Sequence, residues 1–585
     1  MCGIAGAVGS NLDYVNSSIV KVMTDAIAHR GPDGEGTWTN SSGSVVLGHR
    51  RLSIIDVTAA GAQPMHYLDR YVMVFNGEIY NYLELKSVLK SKGYTFFSGT
   101  DSEVLMALYD DLGVDCLDQL DGMFAFVIWD KTKQQLFCAR DRFGEKPFYY
   151  SSFKDSFLFC SEIKGLWAAG VDKKVDPIML FNYRFLGHVY NPGSLGDTFY
   201  TNIKSLPPAT YLIINMKGEV ETVKKYWDID HKYTDRFISF EDACARFKSL
   251  FDESVRRRLR SDVTLGSSLS GGLDSSSVVC TVERLKENDV PQKTFSARFP
   301  GFKKDESRHI DEVLATTHAR GYSCYPTEET FLQVVNDVIR FQDEPFGSLS
   351  IVVQYEVMAL AKSENTIVLL DGQGADEYLC GYHGLLDSFF NELACNDPGQ
   401  YVRQLRSFKQ LHAKNEINTL RRRMLGIHLK RKLTNKQINT LLHFKALFAN
   451  WNSPSAVRDL LYTHRNDVFQ KTHQASSLNQ ILYDFTLMGG LQELLRYADR
   501  NSMAHSREVR LPFLYHKLVE FVFSLPSHFK VNDGFTKYIL RKSMEDRLPE
   551  SIAWRKDKIG YEPPKKNKLG GRPLNDALIH EFNLQ

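Results

Sequence analysis

The sequence predicts two architectures in one chain: stacked antiparallel sheets with helices packed on them, followed by a doubly wound parallel sheet. Residues 1–215 contain a succession of short strand-like runs separated by turn signals such as RGPDGEG and SSGS. Beyond about residue 241, strands alternate with amphipathic helices, which is typical of a parallel sheet. A chain of 585 residues is also too long for one hydrophobic core.

In the first part, helical periodicity marks residues 15–28, 82–92 and 102–113. The predicted strands are GIAGAV, VVLGHRRLSIID, YVMVFNG, GMFAFVIWD, QLFCARDRF, SFLFCSEI and TYLIIN. Residues 216–240 are charged and poorly periodic, so we place a linker there. This division predicts a first domain of residues 1–215 and a second of residues 241–585.

In the second part, a helix at 241–258 leads to the strand VTLGSSLS, a Gly/Ser turn and the helix SSVVCTVERLKE. Further strands are predicted in KTFSARF (293–299) and NTIVLLD (365–371). Ligands are expected where such parallel strands end. Residues 384–490 predict a helical insertion, within which residues 401–445 carry twelve basic residues and one acidic residue, Glu416.

Composition excludes several classes of protein. Lys plus Arg (72) nearly balances Asp plus Glu (70), so net charge does not indicate a nucleic-acid or membrane partner. No apolar run reaches 18 residues, and the N-terminus lacks the features of a signal peptide. Nine cysteines without a CxxC pair predict reduced thiols and no zinc site. We therefore expect a cytoplasmic protein without a membrane span.

Cys2 is a candidate nucleophile because it follows the initiator methionine. Removal of Met1 would leave an α-amino group and a thiol on one residue. A free α-amine has a pKa of about 7.7–8.0 and a thiol has a pKa of about 8.5. The amine can therefore accept the thiol proton near neutral pH without a separate histidine.

Six sequence blocks accompany Cys2. They are HRGPDG (29–34), HRRLSIID (49–56), QP (63–64), FNGEIYN (75–81), GTDSE (99–103) and ARDRFG (139–144). In this order they resemble the glutaminase domain of class II amidotransferases, and most closely that of glutamine-dependent asparagine synthetases. The resemblance implies an α+β N-terminal-nucleophile hydrolase sandwich with αββα layers.

The same resemblance implies roles for individual residues. Cys2 would attack the glutamine side-chain amide, while the Asn76 amide and the Gly77 N–H bind the oxyanion. Arg51 would pair with the α-carboxylate of glutamine, and Glu78 and Asp101 with its α-ammonium. The implied glutamine pocket comprises Arg51, Leu52, Ser53, Ile54, Ile55, Asn76, Gly77, Glu78 and Asp101.

The loop LSGGLDSSS (269–277) lies between a predicted strand and a predicted helix, where backbone N–H groups favour an anion. It lacks the GK[ST] of a Walker A loop, which disfavours γ-phosphoryl transfer. The loop resembles the pyrophosphate loop of N-type ATP pyrophosphatases, which cleave ATP between the α and β phosphates. The resemblance thus implies an α/β ATP-pyrophosphatase domain.

Further blocks resemble the asparagine synthetase domain: DEP (343–345), LDGQGADE (370–377), YADRNSMAHS (497–506) and RLPFL (510–514). By this resemblance, Asp274 and Asp376 would hold Mg²⁺, and Lys537 would neutralise charge on the phosphates. The implied ATP-binding residues are Leu269, Ser270, Gly271, Gly272, Asp274, Ser275, Ala297, Asp371 and Gly372.

Together the two parts imply one reaction, in which ammonia released from glutamine at Cys2 displaces AMP from an acyl adenylate. The expected small-molecule substrates are glutamine, ATP and an acceptor carboxylate, with aspartate as the leading acceptor. The family commonly carries Glu where this chain has Gln373, and Gln cannot act as a general base.

Two alternatives stay open at this point. The basic segment 401–445 is either a solvated surface or a site for a larger anion, such as a uronic acid on a nucleotide sugar or a surface polysaccharide. The second alternative is that the protein is a non-catalytic regulator that senses glutamine or ATP. The resemblance is also compatible with a homodimer.

Overall fold

The computed structural model describes residues 2–286, 290–431, 477–556, 568–569 and 572–584. The first half contains two six-stranded antiparallel sheets, with strand orders β10-β8-β9-β1-β3-β2 and β12-β11-β7-β6-β5-β4. The strands are β1 (Gly3–Gly9), β2 (Gly34–Thr39), β3 (Val45–Arg51), β4 (Met65–Tyr67), β5 (Tyr71–Ile79), β6 (Gly122–Asp130), β7 (Gln135–Arg140), β8 (Tyr149–Ser152), β9 (Ser156–Cys160), β10 (Lys204–Ser205), β11 (Thr210–Asn215) and β12 (Val220–Lys225).

The two sheets stack face to face because their inward side chains are apolar. Ile4 of β1 and Val74 of β5 belong to the cluster between the sheets. Helices cover the outer faces, with Met23 packed against the first sheet and Val104 against the second. The helices of this half are Ser17–Ala26, Tyr82–Ser91, Asp101–Leu112, Cys116–Gln119, Ile163–Ala168 and Pro177–Phe181. The predicted αββα sandwich is confirmed.

The segment 216–240 contributes to the second sheet. Its strand β12 pairs antiparallel with β11 from Thr210↔Lys225 onward. After β12, the Trp227 Nε1–H donates to Glu520 Oε1 of the second half at 2.6 Å. The segment between the two halves is therefore attached to the first half through β12 and to the second half through Trp227.

The second half is built on a five-stranded parallel sheet with the order β15-β14-β13-β16-β17. The strands are β13 (Leu265–Ser268), β14 (Lys293–Ala297), β15 (Arg320–Cys324), β16 (Val368–Leu370) and β17 (Glu508–Arg510). Strand order reverses between β13 and β16, so ligands are expected at the carboxyl ends of these two strands. The predicted doubly wound α/β fold is confirmed.

Helices surround this sheet. They are Phe240–Arg258, Leu273–Leu285, Ser307–Thr316, Glu328–Gln342, Ser350–Ser363, Ala375–Tyr378, Leu386–Asn396, Pro398–Leu411, Lys414–Arg431, Leu478–Tyr483, Gly490–Ala504, His516–Phe523, Ser527–Lys530, Tyr538–Met544, Glu550–Ala553 and Leu574–Glu581. Two-stranded hairpins pair Val531–Asn532 with Phe535–Thr536 and Lys568–Leu569 with Arg572–Pro573.

The predicted insertion at 384–490 is helical in its described residues, 384–431 and 477–490. Residues 432–476, which include Lys432, Lys436 and Lys445, lie outside the described residues. Arg421, Arg422 and Arg423 are exposed on the helix Lys414–Arg431.

Buried charges join the two halves. The Arg30 guanidinium donates to both carboxylate oxygens of Asp499, at 2.8 and 2.9 Å, and to Glu162 at 2.8 Å. Arg500 also lies 3.1 Å from Glu162. Because breaking a buried pair leaves an uncompensated charge, these contacts fix how the halves meet. Across the described part of the chain, no helix is long and apolar enough to cross a membrane.

Candidate active sites

Cys2 immediately precedes β1, in the interior of the first sheet, and its side chain is buried. Its main-chain nitrogen donates to Asn76 Oδ1 on the facing sheet at 2.9 Å. Its Sγ lies 3.9 Å from the Leu52 carbonyl oxygen. Burial raises the pKa of the Cys2 thiol, so a base is needed to generate the thiolate.

Asn76 and Gly77 lie in β5 beside this cysteine. The Asn76 Nδ2 group is buried and has no acceptor among the described residues. A Cβ at Gly77 would come within 2.1 Å of the Met123 carbonyl oxygen on β6, so the close approach of these strands requires glycine. An unsatisfied buried donor is costly, and one beside a nucleophile suits a developing oxyanion.

Glu78 and Asp101 are two buried carboxyl groups in the same region. Asp101 begins the helix Asp101–Leu112, and its Oδ2 accepts the Ile79 N–H at 2.8 Å. Burial raises the pKa of Asp101 to about 6. Burial and the neighbouring Glu508 raise the pKa of Glu78 well above its usual value. A bound cation would stabilise the ionised forms of both carboxyl groups and so lower their pKa values.

Arg51 ends β3, and its guanidinium donates to the carbonyls of Thr58, at 2.7 Å, and Asp56. It lines a cavity of about 530 Å³ together with Ser53 and Gln63. Val263 and Ile367 of the second half also contribute to the wall. The cavity is therefore shared by both halves.

The loop after Arg51 faces the junction between the halves. Leu52 and Ile54 belong to an apolar cluster with Met123 of the first half and Val368 and Met503 of the second. Ile55 packs against the same cluster. Of the predicted glutamine-pocket residues, Leu52, Ile54 and Ile55 thus contribute to an apolar layer on the side of the parallel sheet.

The loop after β13 leads into the helix Leu273–Leu285. Gly271 has a φ of +75°, and a Cβ there would lie 2.9 Å from His309 Cβ. Gly272 is the N-cap residue of the helix, and the Ser270 and Ser275 hydroxyls lie 3.0 Å apart. A helix N-terminus preceded by such a glycine turn favours a bound anion.

The loop after β16 abuts this helix start. A Cβ at Gly372 would come within 2.6 Å of the Ser275 nitrogen. Asp371 is held by its main-chain N–H, which donates to the Arg510 carbonyl oxygen at 3.0 Å. Burial raises the pKa of Asp371. The loops after the two strands are therefore packed directly against each other, at the position where the strand order predicts a ligand.

Lys537 forms ion pairs with both Asp274, at the start of the helix after β13, and Asp376, after β16. Its backbone is in the left-handed region, with φ of 51°. Burial lowers the pKa of Lys537, but the two carboxylates outweigh that effect and raise it. A Cβ at Gly381 would come within 1.8 Å of Asp376 Oδ1, so the packing around the carboxylate is close.

These carboxylates suit a hard cation. Asp274 and Asp376 converge on one positively charged group from separate elements, and carboxylate oxygens are preferred Mg²⁺ ligands. The donor set therefore fits Mg²⁺ bound together with phosphates.

The remaining predicted residues line the same end of the sheet. Leu269 follows β13 and Ala297 ends β14, and both are buried. The Leu269 N–H donates to the Phe295 carbonyl oxygen at 2.9 Å. The Gln373 Oε1 atom is buried without a donor among the described residues.

Sequence reasoning assigned no site role to two arginines at the junction. Arg30 Nε donates to the Cys2 carbonyl oxygen at 3.0 Å, while its other nitrogens bind Asp499. Arg510 lies 3.6 Å from Glu78. Both arginines occur in blocks that carry the family resemblance, but the sequence alone could not show which groups they contact.

Comparisons with known proteins agree with this organisation. A family model described as a glutamine amidotransferase domain matches residues 1–227, and one described as asparagine synthase matches residues 246–584. The glutamine-hydrolyzing asparagine synthetase 1 of Bacillus subtilis is 32% identical over 99% of this chain and 92% of its own length.

A second relative is the putative glutamine-hydrolyzing asparagine synthetase 2 of Methanocaldococcus jannaschii, which is 37% identical over 66% of this chain and 77% of its own length. Among solved structures, the glutamine phosphoribosylpyrophosphate amidotransferase of B. subtilis complexed with ADP and GMP is 13% identical, covering 63% of this chain and 81% of that chain with a TM-score of 0.30. From its sequence relatives and its two family matches, the chain belongs to the glutamine-hydrolysing asparagine synthetase family of carbon–nitrogen ligases.

Proposed function

We propose that this protein converts aspartate to asparagine, with glutamine as nitrogen donor and ATP as activating agent. The products would be asparagine, glutamate, AMP and pyrophosphate. The observation that carries the glutaminase assignment is the buried Cys2 nitrogen bound to Asn76, whose Nδ2 donor has no acceptor among the described residues.

In the glutaminase step, the Cys2 thiolate attacks the side-chain amide carbon of glutamine. The Asn76 Nδ2–H and the Gly77 N–H would stabilise the oxyanion. After loss of Met1, the Cys2 α-amine would accept the thiol proton and deliver it to the leaving ammonia. Water then hydrolyses the thioester and releases glutamate.

Recognition of glutamine would use its two charged groups. Glu78 and Asp101 are buried carboxyl groups with raised pKa values, so a bound α-ammonium would stabilise their ionised forms. Arg51 would meet the α-carboxylate by exchanging part of its contact with the Thr58 and Asp56 carbonyls. The α-ammonium and α-carboxylate of glutamine thus supply the partners that these carboxyl groups and this arginine would pair with.

In the synthetase step, the acceptor carboxylate attacks the α-phosphorus of ATP and pyrophosphate leaves. The helix start after Gly272 and the amine of Lys537 would bind the phosphates. Asp274 and Asp376 would hold Mg²⁺, which supplies positive charge to the pyrophosphate leaving group. Leu269, Ala297, Asp371 and Gly372 would line the adenosine pocket, and ammonia would displace AMP at the adenylate beside Gln373.

Ammonia must travel between the sites without being protonated. The apolar cluster around Leu52, Met123 and Val368 lies between β5–β6 of the first half and β16 of the second. An apolar route disfavours charged ammonium relative to neutral ammonia. This cluster supports internal transfer.

Aspartate is the acceptor we propose, because the two relatives described above are named as asparagine synthetases. The comparisons contain no support for a uronic acid or a polysaccharide acceptor. Scattered free cysteines support a cytoplasmic location. A homodimer remains a prediction.

Replacing Cys2 with alanine tests the proposal, with Cys138→Ala as the matched control at another buried cysteine. We expect Cys2→Ala to lose glutaminase activity and glutamine-dependent asparagine formation. Asparagine formation from added ammonium should persist, because the second site is separate. The assays are glutamate release and asparagine formation, and mass spectrometry of the native protein should show that Met1 is removed.

Equal loss of the glutamine-dependent and ammonium-dependent reactions in Cys2→Ala would contradict the two-site assignment. Absence of asparagine formation from aspartate by the wild type with ammonium and ATP would contradict the acceptor. Cys138→Ala should retain both reactions.

A further inference from the structure

A buried arginine of the parallel sheet reaches into the glutamine pocket of the other half. Arg510 Nη2 lies 3.6 Å from Glu78 Oε2. Both residues are buried, and neither of these two atoms makes a hydrogen bond within the described residues. A guanidinium nitrogen and a carboxyl oxygen therefore face each other across the junction, and each can still form a hydrogen bond to a ligand.

The rest of the Arg510 guanidinium is fixed by its own half. Its Nε donates to Glu508 Oε1 at 2.6 Å, and its Nη1 donates to the carbonyls of Arg258 and Arg260 at 2.8 and 2.6 Å. These three bonds determine where Nη2 points. A planar guanidinium held at two of its nitrogens cannot rotate away from Glu78.

We propose that Arg510 is a positioning residue of the glutamine site, which holds the Glu78 carboxyl group in place to receive the α-ammonium of glutamine. This inference rests on the glutaminase function proposed above. Under it, the first half alone has an incomplete amino-acid pocket, and the synthetase half supplies the missing charge.

The surrounding charges support this role. Glu78 faces Glu508 and Arg510 from β17 and Asp101 from the helix Asp101–Leu112. Burial, Glu508 and Asp101 raise the pKa of Glu78, and Arg510 opposes that rise. Removing the arginine charge would leave the carboxyl group protonated at a higher pH, in which form it cannot pair with an ammonium.

The backbone of Arg510 also contacts the strand and loop of the proposed ATP site. Its carbonyl oxygen accepts the Asp371 N–H at 3.0 Å, and it pairs with Leu370 in the parallel ladder. One residue thus contacts an expected glutamine-binding group through its side chain and an expected adenosine-binding group through its backbone. The halves must be packed together for the glutamine pocket to be complete.

The test uses Arg510→Gln and the charge-retaining Arg510→Lys in the full-length enzyme. The control is Arg547→Gln, which removes another buried arginine of the same half, paired with Asp252. We expect Arg510→Gln to raise the KM for glutamine about tenfold with kcat changed less than about twofold, as for lost ligand binding. Arg510→Lys should raise the KM for glutamine about threefold.

The pH dependence separates positioning from general damage. In Arg510→Gln, the acid-side rise in the glutamine KM should begin at a higher pH than in wild type, whereas Arg510→Lys should keep the wild-type profile. In a Glu78→Gln background, Arg510→Gln should add little further increase. If Arg510→Gln does not fold, the KM of Arg510→Lys decides the matter.

Several outcomes would overturn the inference. These are an unchanged glutamine KM in the Arg510 variants, an equal change in Arg547→Gln, or full additivity with Glu78→Gln. An active wild type with unaffected Arg510 variants would reject this inference alone. A wild type without glutaminase activity would reject the proposed function, and the inference with it.

Discussion

The two halves hold their candidate site residues in different ways. In the first half, Asn76, Gly77 and Glu78 are consecutive residues of β5, fixed by its ladder with β6. In the second half, Asp274 and Asp376 lie on segments that follow β13 and β16, and ion pairs to Lys537 bring them together. A strand ladder positions backbone and amide donors for a small oxyanion, whereas glycine-rich loops at strand ends can surround a larger phosphate chain.

The carboxyl groups of the two sites differ in whether a basic side chain is already paired with them. The pocket of the first half has two buried carboxyl groups with raised pKa values, Glu78 and Asp101. In the second half, the carboxylates are already paired with Lys537. The first site is therefore suited to a ligand that brings positive charge, and the second to an anion accompanied by a cation.

The largest expected effect separates these two sites. Asp274→Asn removes a charge that we propose holds Mg²⁺, so AMP and pyrophosphate formation should fall about a thousandfold, the scale of losing a key electrostatic group. Glutaminase activity should stay near the wild-type value. The measurement is AMP and pyrophosphate release with aspartate and ammonium across a Mg²⁺ titration.

Asp546→Asn is the matched control, because Asp546 is an acidic residue of the same half that pairs with Lys248 at the surface. It should behave as wild type. Release of ADP and phosphate by the wild-type enzyme would refute the assignment of the ATP bond, and loss of glutaminase activity in Asp274→Asn would show that the sites are not separable.

A smaller effect concerns pH in the first half. The free-enzyme pKa of Asp101 is raised to about 6, so the carboxylate that we propose pairs with the glutamine ammonium is ionised above that pH and protonated below it. The KM for glutamine should therefore rise about tenfold between pH 7 and pH 5. Steady-state glutaminase assays over this range provide the measurement.

In Asp101→Asn, the KM should be high at all these pH values, and the inflection near pH 6 should be lost. Thr100 precedes Asp101 and caps its helix through the Glu103 N–H, so Thr100→Ser keeps the cap and serves as a control. An inflection that persists in Asp101→Asn would assign the titration to another group.

Most strands that form long alternating or apolar runs could be predicted from sequence. GMFAFVIWD corresponds to β6 without change, and SGGLDSS does connect a strand to a helix. The run VVLGHRRLSIID, by contrast, stops being a strand at Arg51. There the Ser53 N–H donates to Asp33, and the Ile54 carbonyl accepts the N–H of Asp262 from the other half. Such tertiary contacts override local propensity.

The site could be predicted where one motif carries its geometry, as in β5. The site could not be predicted where the contacting residue comes from a distant segment of the chain. The strand β17 is only three residues long and contains two buried charges, so it has no apolar pattern to detect. The contact from Arg510 to Glu78 depends on how two domains pack, and this packing has no local sequence signal.

The smallest expected effect concerns the basic helix Lys414–Arg431. Arg421, Arg422 and Arg423 are exposed, and aspartate, the acceptor that we propose, would offer few charges to a field spread over that surface. Replacing all three with Ser should change the aspartate KM by less than about twofold, with little salt dependence, because exposed charges are screened by solvent and salt. The measurement compares wild type and the triple variant at two ionic strengths, with aspartate and a nucleotide-linked uronic acid in parallel.

Turnover of the uronic acid that falls in the variant and depends steeply on salt would instead identify this helix as an acceptor site. Unchanged aspartate turnover would sharpen the contrast between the halves, because charge would then select ligands only inside the two buried sites.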